Sequence, residues 1–204
     1  MKKFGFKGLA ALALAATTVF SSCKKDDDGN SILDAFSSFE ATGTDFNFKT
    51  NAVYGDKDES KSASKVASLF GDTKTTVYAA DLSGKKFFSI IINGNEKKDY
   101  NLELSVENPN TLLINYLTTD ETLDETLQNA FKAETSCMVI YGSLEEGASA
   151  DALYVSTKAK VTINSIMKST KVGGTKVSGT FSATLVNSKG DKKEVSGKFN
   201  CLGL

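Results

Sequence analysis

Residues 176–200 constrain the fold of this chain more than any other stretch. In 176–187 (KVSGTFSATLVN) Val177, Gly179, Phe181, Ala183 and Leu185 occupy every second position, with polar residues between them. Ser188, Lys189, Gly190 and Asp191 then form a turn, and 193–200 returns with Val195, Gly197 and Phe199 in the same alternation. A period of two puts one set of side chains on one face of a strand and the rest on the other, so this is a β-hairpin with a buried face. Glycine within a strand marks a place where something must approach the backbone closely. Gly179 and Gly197 therefore read as positions over which a facing aromatic ring packs.

The same signal recurs upstream. Residues 45–54 (DFNFKTNAVY) alternate through Phe46 and Phe48, and 75–80 is a strand followed by a turn at 81–84. The bulky apolar run 85–93 (KKFFSIIIN) reads as a central strand. It ends in Asn93-Gly94, a pair favoured in type I′ turns because both central residues need positive φ, which predicts a tight hairpin into 99–107. There Tyr100, Leu102, Leu104 and Val106 face inward. Asn108, Pro109 and Asn110 turn the chain into 111–116, and further strands are expected at 136–141, 152–156 and 159–167. Gly173-Gly174 lacks the Gly-Lys-Ser/Thr continuation and following helix of a phosphate loop, so it is a turn.

Helical signals are few. Residues 32–39 suit a short helix or the lead-in to the first strand. In 61–70 (KSASKVASLF), Val66, Leu69 and Phe70 share a helical face with Gly71 at the C′ position, which predicts one to two turns of helix. Thr118 and Glu121 fit a capping box, and Leu123, Leu127 and Phe131 follow at spacings of four, giving an amphipathic helix. Asp120, Glu121, Asp124 and Glu125 match the positive end of that helix dipole and need no bound cation to explain them. Nine to eleven short strands with one or two short helices make an all-β, mainly antiparallel domain, either a β-sandwich or a barrel.

Composition removes whole classes of chemistry. The chain has no His and no Trp, and Arg is also missing from the sequence. Without His there is no Ser-His-Asp or Cys-His catalytic unit and no imidazole metal site. Without Arg there is no planar fork for phosphate. The chain reads as a non-enzyme with no cofactor and no metal.

The N-terminus supplies an address. Lys2, Lys3 and Lys7 precede an apolar run, 8–20, which is free of acids and too short to cross a ~30 Å hydrocarbon core. Phe20, Ser21, Ser22 and Cys23 follow, and this run resembles a bacterial lipobox, in which the cysteine becomes the lipidated N-terminus. The resemblance implies cleavage after residue 22 and lipid attachment at Cys23. Lys24, Lys25, Asp26, Asp27, Asp28, Gly29 and Asn30 look like the lysine-plus-acidic tether of Bacteroidota surface lipoproteins, which implies an outer-membrane location facing the medium. The glycine spacing of this run does not fit a calcium loop. The expected organisation is a signal peptide at 1–22, a lipidated flexible tether at 23–34 and one β-rich domain at 35–204. Loss of the three leader lysines moves the formal charge from −1 to −4, which argues against nucleic acid as a partner.

Two cysteines remain, Cys137 and Cys201, both in β-like stretches. An exporting route permits a disulfide between them, and two free buried thiols acting as small apolar residues are the alternative. The hairpin Gly179-Thr180-Phe181, Gly190-Asp191, Gly197-Lys198-Phe199 resembles the C-terminal end of several uncharacterised Bacteroidota lipoprotein families, small β-sandwich or calycin-like domains with no assigned activity. Two functions follow as expectations. One is a surface binding or adhesion module for a glycan, a host protein or a neighbouring membrane component. The other is a carrier of a small apolar ligand, with some of the thirteen Phe lining a barrel cavity.

Overall fold

A computed structural model describes residues 36–53, 64–70, 72–105, 133–168 and 174–203. The leader, the tether, the expected strand at 111–116 and the expected helix after Thr118 lie outside these residues. What is described is almost entirely antiparallel β-structure: β1 (Phe36–Gly43), β2 (Phe46–Val53), β3 (Ser64–Phe70), β4 (Thr75–Asp81), β5 (Lys86–Ile92), β6 (Asp99–Glu103), β7 (Cys137–Ser143), β8 (Tyr154–Lys168), β9 (Thr175–Val186) and β10 (Lys192–Leu202). The helical element among the described residues is a 3-10 turn at Ala150–Ala152.

One sheet holds all ten strands, in the order β2-β1-β10-β9-β8-β7-β5-β4-β3, with β6 added to β8. Its two ends curl toward each other. Ser68 on β3 bridges to Gly203 beyond β10, the Ser68 hydroxyl donates to the Cys201 carbonyl at 3.3 Å, and the Thr50 hydroxyl of β2 donates to the Ala80 carbonyl of β4 at 3.4 Å. The result is a nearly closed barrel. Of the two architectures expected, the barrel is the one formed.

Aromatic rings fill the inside. Phe88 sits at the centre with Phe39, Phe46, Phe48, Tyr141 and Phe181 around it, at centroid distances from 5.0 to 6.2 Å. Tilted and edge-on arrangements of this kind add to the burial energy of each ring. At one end Lys193 reaches over Tyr154 and Phe46, with its ammonium 5.0 and 5.8 Å from the two centroids. A second, smaller apolar cluster lies on the outer face of β4, β5, β7 and β8, where Phe87, Met138, Ile140 and Val155 pack with Leu153 after the 3-10 turn.

Three local expectations are corrected. Residues 64–70 are a strand, paired with β4 from Ser64↔Asp81 to Phe70↔Thr75. Val66, Ala67 and Ser68 are all buried, while Leu69 is 43% exposed, so Val66 and Leu69 do not share a buried helical face. A short segment with modest helix propensity gains more from a full ladder of hydrogen bonds to β4 than from one turn of helix.

Asn93-Gly94 does not close a β5–β6 hairpin. The strand β5 pairs with β4 and β7, whereas β6 pairs with β8, and neither Asn93 nor Gly94 has positive φ. Gly94 serves packing instead: a Cβ there would lie 2.6 Å from the Tyr100 hydroxyl oxygen. That hydroxyl donates to the Glu96 carbonyl and accepts from the Glu96 amide, both at 3.0 Å, so Tyr100 pins the connection.

The stretches 152–156 and 159–167 are one strand, β8. It carries irregularities between Ser156 and Lys158 and between Ile163 and Ser165. The first switches the inward phase from Tyr154 to Ala159, Val161 and Ile163, and the second switches it back so that Ile166 faces the core.

Candidate functional site

The two Gly-x-Phe elements are structural, and they are reciprocal. Phe199 pairs with Gly179 and Gly197 with Phe181 across β9 and β10. A Cβ on Gly179 would come within 2.5 Å of the Phe199 ring, and one on Gly197 within 2.7 Å of the Phe181 ring. Each ring lies over the glycine opposite, which is how this hairpin packs against the aromatic core.

Cys137 and Cys201 are both free, buried thiols. They sit on β7 and β10, with β8 and β9 between them in the sheet. Cys137 Sγ donates to the Tyr100 carbonyl at 3.4 Å, and Cys201 Sγ is 3.9 Å from the Ser38 carbonyl. Of the two alternatives open in the sequence, disulfide or small apolar residues, the free thiols are found. Burial pushes the Cys137 thiol up to about 12 and raises that of Cys201 as well. Cys23 lies outside the described residues.

The tyrosines are mostly core. Tyr100 is fully buried, Tyr141 and Tyr154 belong to the barrel interior, and Tyr78 stacks on Phe87 in the outer cluster with centroids 6.3 Å apart. Tyr54 and Tyr116 lie outside the described residues. Among the described residues no group of His, Cys, Asp and Glu side chains has the arrangement of a metal site.

What the strands do bring together is polar, and it lies on the outward face. A depression of about 890 Å³ opens over β6, β8, β9, β10 and the β1–β2 turn. Two rows of side chains cross it in register. Asn101, Lys160, Ser182, Ser196 and Thr42 stand opposite one another on β6, β8, β9, β10 and β1. Next to them run Glu103, Lys158, Thr184 and Glu194. The intervening Leu102, Ala159, Ala183 and Val195 are buried, so the alternation that builds the core also sets out these rows.

The charges here are matched. Lys158 reaches Glu103 at 3.7 Å, and Lys160 reaches Asp99, just beyond the depression, at 2.7 Å. The Thr184 hydroxyl donates to Glu194 at 2.9 Å. Asp99 is held below its ordinary value by hydrogen bonds from Lys160 and then from Thr162. One row further on, Glu40 lies between Lys49 at 2.7 Å and Lys198 at 3.2 Å, and these two ammonium groups lower its pKa. Exposed pairs of this kind contribute little stability each, but they leave the face close to neutral. No sequence signal pointed to this surface, because its residues are drawn from positions 42 to 196 and meet only through strand register.

No protein-family model, no curated protein and no solved structure matches the chain.

Proposed function

We propose that the chain is a cell-surface lipoprotein of the outer membrane, held by lipid on Cys23, and that its barrel is a non-catalytic binding module. The observation that carries the second part is the depression on a barrel whose interior is packed with its own rings. A ligand in the barrel axis would have to displace Phe88 and its neighbours, whereas a ligand on the outer face meets side chains already facing solvent. The apolar-carrier alternative therefore has less support. The leader, the lipobox-like run at 20–23 and the lysine-acid tether support the address. Several acyl chains on one cysteine give a lasting anchor where a single chain gives a marginal one. The absence of His and Arg from the sequence supports a module that binds without catalysing.

Fractionation tests the anchor. Cys23→Ala is expected to move the protein from the membrane fraction to a soluble or unprocessed form. Protease added to intact cells is expected to cleave the wild type. A protein that stays with the membrane after Cys23→Ala contradicts the lipid site, and one that resists protease until cells are broken contradicts the outward orientation.

A further inference from the structure

We infer that the outer depression takes a neutral, polyhydroxylated chain, a glycan segment without charged groups; this rests on the binding-module proposal above. Within the depression the ionic side chains are two lysines, Lys158 and Lys160, and two glutamates, Glu103 and Glu194. Lys158, Lys160 and Glu194 each have a partner from this chain. A polyanion or polycation would have to break these contacts and would find no field of one sign to attract it. What is left over is a set of hydroxyls and an amide, from Thr42, Thr44, Ser182, Ser196 and Asn101. These groups both donate and accept, as sugar hydroxyls do.

Spacing points the same way. Neighbouring strands lie about 4.8 Å apart, so the row from Asn101 to Thr42 offers a polar group at each step over roughly 19 Å. Such a step is comparable with the length of one pyranose unit. A polysaccharide lying across the strands would meet a hydrogen-bonding side chain for each sugar. Among the described residues the depression offers no large exposed apolar side chain as an anchor, which is what a protein partner would need at the centre of its interface: the apolar residues lining it, Leu102, Ala159, Ala183 and Val195, are all buried beneath it.

The test is affinity electrophoresis of the full-length protein in native gels cast with dextran, soluble starch, galactomannan or xyloglucan, with polygalacturonate as the acidic counterpart. At least one neutral polymer is expected to retard the protein, with an affinity that changes less than about twofold on going from low salt to roughly 0.3 M, since uncharged ligands are not screened. Ser182→Trp, which fills the middle of the depression from an exposed position, is expected to weaken that affinity by about tenfold or more. Leu82→Asn, on the distant β4–β5 turn, is expected to leave it unchanged, and thermal melts of both variants verify folding. Retardation by polygalacturonate alone, by no polymer, or equally by wild type and Ser182→Trp overturns the inference. A photo-crosslinker at Ser196 on intact cells separates this failure from that of the module itself. A discrete adduct there keeps the module and discards the glycan, and no adduct in addition to no retardation discards both.

Discussion

Phe199 lies opposite Gly179 across the β9–β10 hairpin, and its ring occupies the place a side chain at 179 would need. Phe181 and Gly197 repeat the relationship two residues along each strand in the opposite sense. Both rings belong to the apolar core, and each covers the backbone of the strand opposite its own. The hairpin thus buries two large side chains without thickening the sheet.

Alanine at either glycine tests this. Gly→Ala where the backbone is compatible gains a few tenths to about 1 kcal/mol through the unfolded chain. Here the added methyl would meet a backbone carbonyl first, that of Thr162 for Gly179 or of Glu40 for Gly197, and then the facing aromatic ring. Overpacking of that kind costs roughly 1–3 kcal/mol and is expected to win. For a domain of this size that corresponds to a fall in Tm of about 3–10 °C. Phe199→Leu in the Gly179→Ala background should cost less than it does in the wild type, because the two changes share one space. Additive losses in a double-mutant cycle would contradict the packing relationship.

The turn that follows β9 rests on one side chain. Asn187, 2% exposed, accepts from the amides of Lys189 at 3.0 Å and Asp191 at 2.9 Å. Its amide nitrogen donates to the Asp151 carbonyl at 3.1 Å and to the Asp191 carboxylate at 2.9 Å. It therefore joins the β9–β10 turn to the 3-10 turn before β8. Asp151 adds a hydrogen bond from Ser188 and an ion pair with Lys189 at 2.9 Å, and these hold its carboxyl below the ordinary range. Asn187→Ala removes these part-buried hydrogen bonds of the Lys189 and Asp191 amides and the Asp151 carbonyl, at a cost of about 1 kcal/mol. Asn187→Asp keeps both acceptor contacts but loses the donor and faces Asp191 with a like charge. It is expected to be destabilising at neutral pH and less so near pH 4, where carboxylates protonate. Equal melting-point losses at both pH values would contradict a role for the donor side of Asn187.

How far these features were legible depends on how local they are. The pairing of Gly179 and Gly197 with facing rings could be read directly, because both halves of each pair lie in one hairpin and strand alternation places them. Tyr100, Leu102 and Leu104 could be assigned to the interior for the same reason. Residues 64–70 could not. Their fate is decided by β4, which supplies the ladder, and a seven-residue stretch with Val66, Leu69 and Phe70 satisfies a helical spacing as well as a strand. Asn93-Gly94 misleads because one glycine has two uses: φ freedom in a turn, and room for a ring, here that of Tyr100. The polar rows over β6, β8, β9, β10 and β1 were the least accessible. Ser, Thr and Lys at outward positions carry no mark of what stands beside them until the register is known.

The thiols give a prediction in chemical reactivity. Cys137 and Cys201 are 0% exposed and face the protein's own carbonyls. The thiolate is the reactive form, and burial disfavours it in both. Ellman's reagent at pH 8 should therefore label neither Cys137 nor Cys201 in the folded protein and both after unfolding in guanidinium. The sign for stability follows from the same shift. Cys137 is raised from 9.0 to about 12, so the folded state keeps a proton there that the unfolded chain gives up. That contribution is fully present below pH 9 and is lost as pH rises toward 12. Tyr78, raised by burial from 10.0 to about 12, acts in the same direction from pH 10 upward. Cys137→Ala should therefore flatten the decline in Tm between pH 9 and 10, before Tyr78 begins to contribute. An unchanged slope in that window, or rapid labelling of the folded protein, would place Cys137 in contact with solvent and contradict its position between β6 and the core.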